Sequence, residues 1–190
     1  MRIPMTSNQV AFSIATSIVV SQAALAQPSA ASKEQIRRGE YLSTFGGCHD
    51  CHTPKTMTAN GPVADKSRLL SGYPAGGPLP PVPPDVIGPG RWGALATNDL
   101  TAWAGPWGIS YSANLTPDKS TGLGGWTFEQ FSQTMRTGKH LGVGRPVLPP
   151  MPWFDVAVLT DRDMKALFAY LKSLKPIVNQ VPPPVPPKMQ

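Results

Sequence analysis

The chain is 190 residues long, 41% hydrophobic and 15% charged, with 23 prolines, 18 glycines and 2 cysteines. That length suggests one domain around one core, and two cysteines only two residues apart exclude a framework of disulfides between distant segments. The formal charge of +6 points to an acidic protein partner or an anionic membrane surface rather than nucleic acid, with plain solubility as the bland alternative.

Residues 1–26 read as a secretory signal peptide. Arg2 gives a weakly positive start, Val10 to Ala26 is mostly apolar or small, and Ala24-Leu25-Ala26 fits a cleavage site before Gln27. An uncleaved membrane anchor is the alternative, but Ser13, Thr16, Ser17, Ser21 and Gln22 interrupt the stretch, which is short for a span. Cleavage leaves 164 residues (190 − 26) and a side-chain charge of about +5, because Arg2 is the leader's one charged side chain.

The first helix is expected over Lys33 to Phe45, with Ser32 and Gln35 as a capping box and Ile36, Gly39, Tyr41, Leu42 and Phe45 inside it. It leads through Gly46-Gly47 into Cys48-His49-Asp50-Cys51-His52. Two thiols at this spacing followed by an imidazole match covalent attachment of a c-type haem, Cys48 and Cys51 forming thioethers and His52 serving as proximal iron ligand. A redox disulfide normally sits in a βαβ pattern, which does not surround this motif. A zinc site needs two further ligands, and only His49 and the distant His140 are left to supply them.

From about 61 to 108 the chain interleaves Pro74, Pro78, Pro80, Pro81, Pro83, Pro84 and Pro89 with glycines, which excludes a regular helix. Trp92, Trp103 and Trp107 in the same stretch suggest an ordered loop wrapped over the core rather than a solvated linker. A second helix is expected from Thr127 to about Gly138, with Phe128, Phe131 and Met135 at helical spacing. A third follows Thr160 as N-cap, with Asp163 at the box position, Met164, Leu167, Phe168, Leu171 and Leu174 as its stripe, and Pro176 as its stop. The tail, 176–190, is Pro-rich and polyproline-like over Pro182 to Pro187, and reads as a disordered terminus before it reads as a docking ligand.

A haem held by His52 alone leaves the sixth iron position open. Of Met57, Met135, Met151 and Met164, Met57 follows the motif too closely to reach the opposite face, while Met135 and Met164 lie on helical stripes that core packing explains. Met151 stands in Val147-Leu148-Pro149-Pro150-Met151-Pro152-Trp153, where prolines stiffen an extended loop. It is the first candidate, with gap-filling as its bland reading. His140 is the rival distal ligand, and in a haem enzyme or gas sensor with an open or labile sixth site it is the one histidine left for acid–base work.

The helix, the Cys48 to His52 motif, Asn114-Leu115-Thr116-Pro117-Asp118, Gly124-Gly125-Trp126-Thr127, Met151-Pro152-Trp153 and the closing helix together resemble bacterial periplasmic class I cytochromes c. The flavour is similar to the single-haem modules in cytochrome subunits of membrane-associated dehydrogenases. The resemblance implies an all-α fold of three or more helices around one haem c in residues 27–175, and electron transfer, not catalysis, by the chain itself. It also implies a periplasmic location and redox protein partners such as a dehydrogenase or terminal oxidase. The insertion at about 61–108 is the main departure from the pattern. The resemblance further implies that the first and last helices cross closely, and Gly39 offers the gap through which Phe168 or Tyr170 would approach. Arg91, Trp107, Tyr111, Asn114, Trp126 and Arg145 are candidate donors to the haem propionates. Met ligation and burial together would give a relatively high potential.

Overall fold

The computed structural model describes Met1 and residues 31–187, and the expected leader lies outside the described residues. Helix α1 runs Lys33–Phe45, as its sequence predicts, and starts where the Ser32 hydroxyl accepts the Gln35 N–H at 3.1 Å. The full reciprocal capping box forms instead at α3, Phe128–Thr137, where Thr127 and Gln130 exchange bonds of 3.2 and 3.0 Å. That helix stops at Gly138, whose φ of 66° is the left-handed conformation glycine adopts without a Cβ penalty. Helix α5, Asp161–Ser173, is capped by Thr160, with Asp161 and Asp163 placed at the positive end of its dipole.

Two one-turn helices were not legible from periodicity. Cys48–His52 forms α2, and Trp153–Ala157 forms α4 directly after Met151-Pro152.

The core is built from Met164, Leu167, Tyr170 and Leu171 of α5, Phe131 of α3, and Leu123 and Leu70 from the connections. Phe168, expected in the stripe, is only partly buried and sets its ring at a tilt against those of Phe131 and Phe128, at 5.1 and 6.1 Å. Helices α1 and α5 cross at Gly39. A Cβ there would lie 2.0 Å from the Ala166 carbonyl oxygen and 2.7 Å from the Tyr170 Cβ, so only glycine permits the approach. Tyr170 is thus the expected neighbour, while the tightest contact is the Ala166 backbone rather than Phe168.

The expectation of an all-α fold is overturned. Between α2 and α3 the chain forms two antiparallel sheets: β1, Lys55–Thr58, pairs with β2, Gly61–Ala64, and β3, Leu95–Ala96, β4, Ala102–Gly105, and β5, Gly108–Tyr111, form a three-stranded sheet in that order. The fold is therefore a mix of helix and strand. Proline and glycine exclude helix from this stretch, but extended backbone tolerates both at edges and turns, and Pro62 sits on a two-stranded ribbon where every strand is an edge.

The same stretch also buries side chains. Leu70 is fully buried, and its carbonyl accepts the Leu115 N–H at 2.9 Å. The tryptophans divide: Trp103 is half-buried and donates to the Leu100 carbonyl at 2.9 Å, whereas Trp92 is 69% exposed and caps nothing.

The tail corrects the other expectation. Residues 176–187 pack back onto the domain, and Val185 pairs with Ile109 through bonds of 2.8 and 2.9 Å. Among the described residues no helix is long and apolar enough to cross a membrane.

Candidate cofactor site

The site begins at the turn between α1 and α2. Gly47, at φ 66°, reverses the chain and accepts the Asp50 N–H at 3.0 Å, so that α2 starts on Cys48. Three residues apart on one helical turn, Cys48 and Cys51 share a face. Both are free thiols and both are part-buried. Burial pushes the Cys48 thiol up, partly offset by a hydrogen bond with Ser43. Burial raises the Cys51 thiol as well, against the charge of Lys55. A redox-active Cys-x-x-Cys pair depends on a depressed thiol, so the environment is the reverse of what a dithiol oxidoreductase needs. Among the described residues no three His, Cys, Asp or Glu side chains gather as a metal cluster.

His52 is buried, with 8% exposure, and its Nδ1 lies 2.8 Å from the Ala113 carbonyl oxygen. A carbonyl only accepts, so Nδ1 carries the proton and Nε2 keeps its lone pair. Burial lowers the pKa of His52, opposed by that carbonyl, and holds the ring neutral, the state in which imidazole ligates a metal. Orientation of a ligating histidine by a backbone carbonyl on its other nitrogen is the usual outer-shell arrangement at metal sites.

The backbone on both sides of Ala113 is held: the Ser112 N–H donates to the Thr101 carbonyl, the Tyr73 N–H donates to the Ser112 carbonyl, and the Leu115 N–H donates to the Leu70 carbonyl, at 2.8, 2.9 and 2.9 Å. The His52 carbonyl meanwhile accepts the Gly72 N–H at 2.7 Å. The sheet-bearing segment thus fixes the imidazole from both its backbone and its ring.

Met151 arrives from the other end of the domain. Its loop is tied to β5, where the Ser110 hydroxyl donates to the Pro149 carbonyl at 2.6 Å, and to α3, where the Val147 N–H donates to the Gly138 carbonyl at 2.8 Å. The indole of Trp153 packs on Gly138 so closely that a Cβ there would meet it at 2.4 Å.

These pieces surround one cavity of about 560 Å³, lined by Cys48, His52 and Met151 together with apolar Leu115, Phe131 and Leu171. The volume is that of a cofactor site, for which roughly 300–1,000 Å³ is usual. The donor set suits a c-type haem: the Cys48 thiol, one neutral imidazole, one thioether and an apolar wall, with Cys51 at the right spacing on α2 although it does not itself line the cavity.

The other candidates divide into two that miss the cavity and two that line it. Met164 is fully buried in the core and Met57 is 56% exposed on β1, and neither lines this cavity. Met135 and His140 do line it. The His140 ring stands edge-on to Trp126 at 5.0 Å, and burial and the charge of Arg145 lower its pKa. Of the proposed propionate donors, Tyr111, Asn114, Trp126 and Arg145 line the cavity, although the Asn114 amide is spent on the Ile177 carbonyl at 2.8 Å and the Thr121 hydroxyl at 3.2 Å. Arg91 is paired with Asp85 at 2.8 Å on the exposed loop, and Trp107 spends its N–H on the Ser110 hydroxyl at 3.2 Å.

Two features escaped sequence reasoning. The Ala113 carbonyl carries no side-chain signal at all. The tail residues Gln180 to Pro184 also line the cavity, although their composition reads as a linker.

No family model matches the chain. It is 34% identical over 151 residues to the gluconate 2-dehydrogenase cytochrome c subunit of Pantoea cypripedii, covering 80% of this chain and 25% of that protein. It is 32% identical to the fructose dehydrogenase cytochrome subunit of Gluconobacter japonicus, covering 79% and 24%. The alcohol dehydrogenase (quinone) cytochrome c subunit of Komagataeibacter europaeus matches at 28% identity over 90% of this chain and 29% of that protein. The chain therefore spans about a quarter of the length of these curated relatives.

Proposed function

For this homologue of dehydrogenase-associated cytochromes c, we propose outer-sphere electron transfer in the periplasm through one covalently held haem c, in the service of a dehydrogenase or other redox partner. The observation that carries the reading is the meeting of Cys48, His52 and Met151 on one apolar cavity, with the His52 proton fixed on Nδ1 by Ala113. The leader-like sequence at 1–26 supports the location, and the charge of about +5 left without it supports an acidic docking surface on the partner or an anionic membrane surface.

Cys48 and Cys51 would anchor the porphyrin, and His52 Nε2 and the Met151 thioether would be the ligands offered to its iron. When bound, haem supplies a one-electron couple between ferrous and ferric iron. The chain's part is to hold both ligands fixed through that change, so that little reorganises when the electron moves. Ala113 keeps the imidazole in one tautomer and one orientation. Leu115, Phe131 and Leu171 keep water from the cavity, which favours the less charged ferrous state, and a thioether favours it over a second histidine. Together these give a relatively high potential.

A second reading, a haem enzyme or gas sensor with a labile sixth site, draws on Met135 and His140, which line the same cavity. The readings part on one experiment. Pyridine haemochrome analysis counts covalent haem, and the ferric spectrum reports a thioether charge-transfer band in the red. Met151→Ala should abolish that band and open the ferrous form to carbon monoxide, while Met135→Ala and His140→Ala leave it intact. Rapid carbon monoxide binding by the unaltered protein would instead favour the sensor or enzyme. A dehydrogenase co-purifying from membranes would mark the chain as a subunit.

A further inference from the structure

We propose that residues 177–185 are a clasped strap forming one wall of the haem cavity, with Asn114, Thr116 and Asn179 as the positioning residues that hold it shut. The proposal rests on the haem reading above.

The strap is fastened at two ends. At its start, the Asn114 Nδ2 donates to the Ile177 carbonyl at 2.8 Å, and the Ile177 N–H donates to the Thr116 hydroxyl at 3.1 Å. The Asn114 Oδ1 accepts both the Thr116 N–H and its hydroxyl, at 3.0 and 2.7 Å, so the clasp is rigid before the tail arrives. Both residues are buried, Thr116 completely.

Asn179 then reaches the opposite flank. Its Nδ2 donates to the Ser71 and Tyr73 carbonyls at 2.7 and 2.8 Å, its Oδ1 accepts the Ala75 N–H at 2.8 Å, and its own N–H donates to the Thr121 hydroxyl at 3.0 Å. At the far end Val185 and Ile109 exchange two backbone bonds of 2.8 and 2.9 Å. Gly108 makes room for that end, since a Cβ there would lie 2.0 Å from the Val185 carbonyl.

The stretch between the fastenings, Gln180 to Pro184, is the part that lines the cavity. Its prolines suit that place. Pro182, Pro183 and Pro184 bring no N–H that would need a partner against an apolar cofactor, and their restricted φ lowers the entropy lost on ordering. The middle motif Asn114-Leu115-Thr116 thereby fastens the last segment of the domain over the site, on the same strand of chain whose Ala113 carbonyl orients His52. Opening the strap would admit water to one side of the cofactor and favour the charged ferric state.

The test uses the full, haem-loaded chain carrying Asn179→Ala at one fastening or Val185→Pro, which lacks the N–H that bonds Ile109, at the other. Expected for each is a helical circular-dichroism spectrum like that of the unaltered protein, a lower midpoint potential, and amide exchange at Ile177 faster by roughly tenfold, the effect of about 1.4 kcal/mol lost from the clasp. Should Asn179→Ala fail to accumulate, Val185→Pro gives the answer alone. Folded, haem-loaded variants with an unchanged potential and unchanged exchange would overturn the strap and leave the haem reading standing. Absence of covalent haem from the unaltered protein would overturn both.

Discussion

The helices and the segment between them reach order by opposite routes. Each of α1, α3 and α5 is specified locally, by a Ser or Thr cap within three residues and an apolar stripe at helical spacing. The stretch from Thr53 to Asn114 has few such signals and is ordered by backbone bonds to remote partners, such as Gly72 to His52 and Ser112 to Thr101. Yet the irregular part supplies the finer portion of the site. The helices contribute thiols and apolar wall, whereas the carbonyl that orients His52 and the hydroxyl that ties down the Met151 loop both come from the sheet-bearing segment. Regular structure here gives the site its volume, and irregular structure gives it its angles.

The comparison can be broken most directly by emptying one core position from each part. Leu70 and Leu171 are both essentially fully buried, at 0% and 1% exposure, so Leu70→Ala and Leu171→Ala should each cost about 3 kcal/mol in denaturant unfolding. A near-zero cost at Leu70 would reduce the Pro/Gly-rich segment to a passive wrap.

A smaller effect is expected from overpacking the helical part. Gly39→Val pushes a branched side chain at the Ala166 carbonyl, a backbone atom that cannot swing aside, and should cost about 2 kcal/mol with a lower melting temperature and poorer haem incorporation. An unchanged melting temperature would show that α1 and α5 do not meet there.

The smallest effect lies on the irregular side and depends on pH. The Asp118 carboxylate accepts the Thr121 hydroxyl and N–H, both at 2.7 Å, and the Ser120 hydroxyl at 2.9 Å, which lowers its pKa to about 2. Because the folded value is depressed below the ordinary one of about 3.9, its stabilisation is present at neutral pH and is lost as pH falls from about 4 through 2. The melting-temperature gap between the unaltered protein and Asp118→Asn should be constant above about pH 5 and close toward pH 2. A gap that persists undiminished at pH 2 would mean the turn does not depend on the charge.

What was legible in the sequence follows the same division. The bounds of α1, the start of α3 and the N-cap of α5 could be read because Ser32, Thr127 and Thr160 act on neighbours three residues away. The Cys48 to His52 motif could be read because the attachment proposed for it demands that spacing. The strands could not, since β3 and β4 run only two and four residues and their pairing depends on partners rather than on a period-two pattern. The same holds for the tail: its prolines carry the signature of a free linker, and it is the buried amide of Asn114 and the half-buried amide of Asn179 that tie it to the domain.

The crossing at Gly39 also bears on how the domain comes together in time. Beside it, Arg38 grips Asp163 with bonds of 2.8 and 3.2 Å across 125 residues of sequence. Contacts of such separation must close a long loop before they return any stabilisation. The first helix therefore gains its packing partner only once the last is in place. Cys48 and Cys51 follow the first helix by only a few residues, whereas α5 begins at Asp161, so on the haem reading proposed above both thiols would be open to attachment until α5 docks.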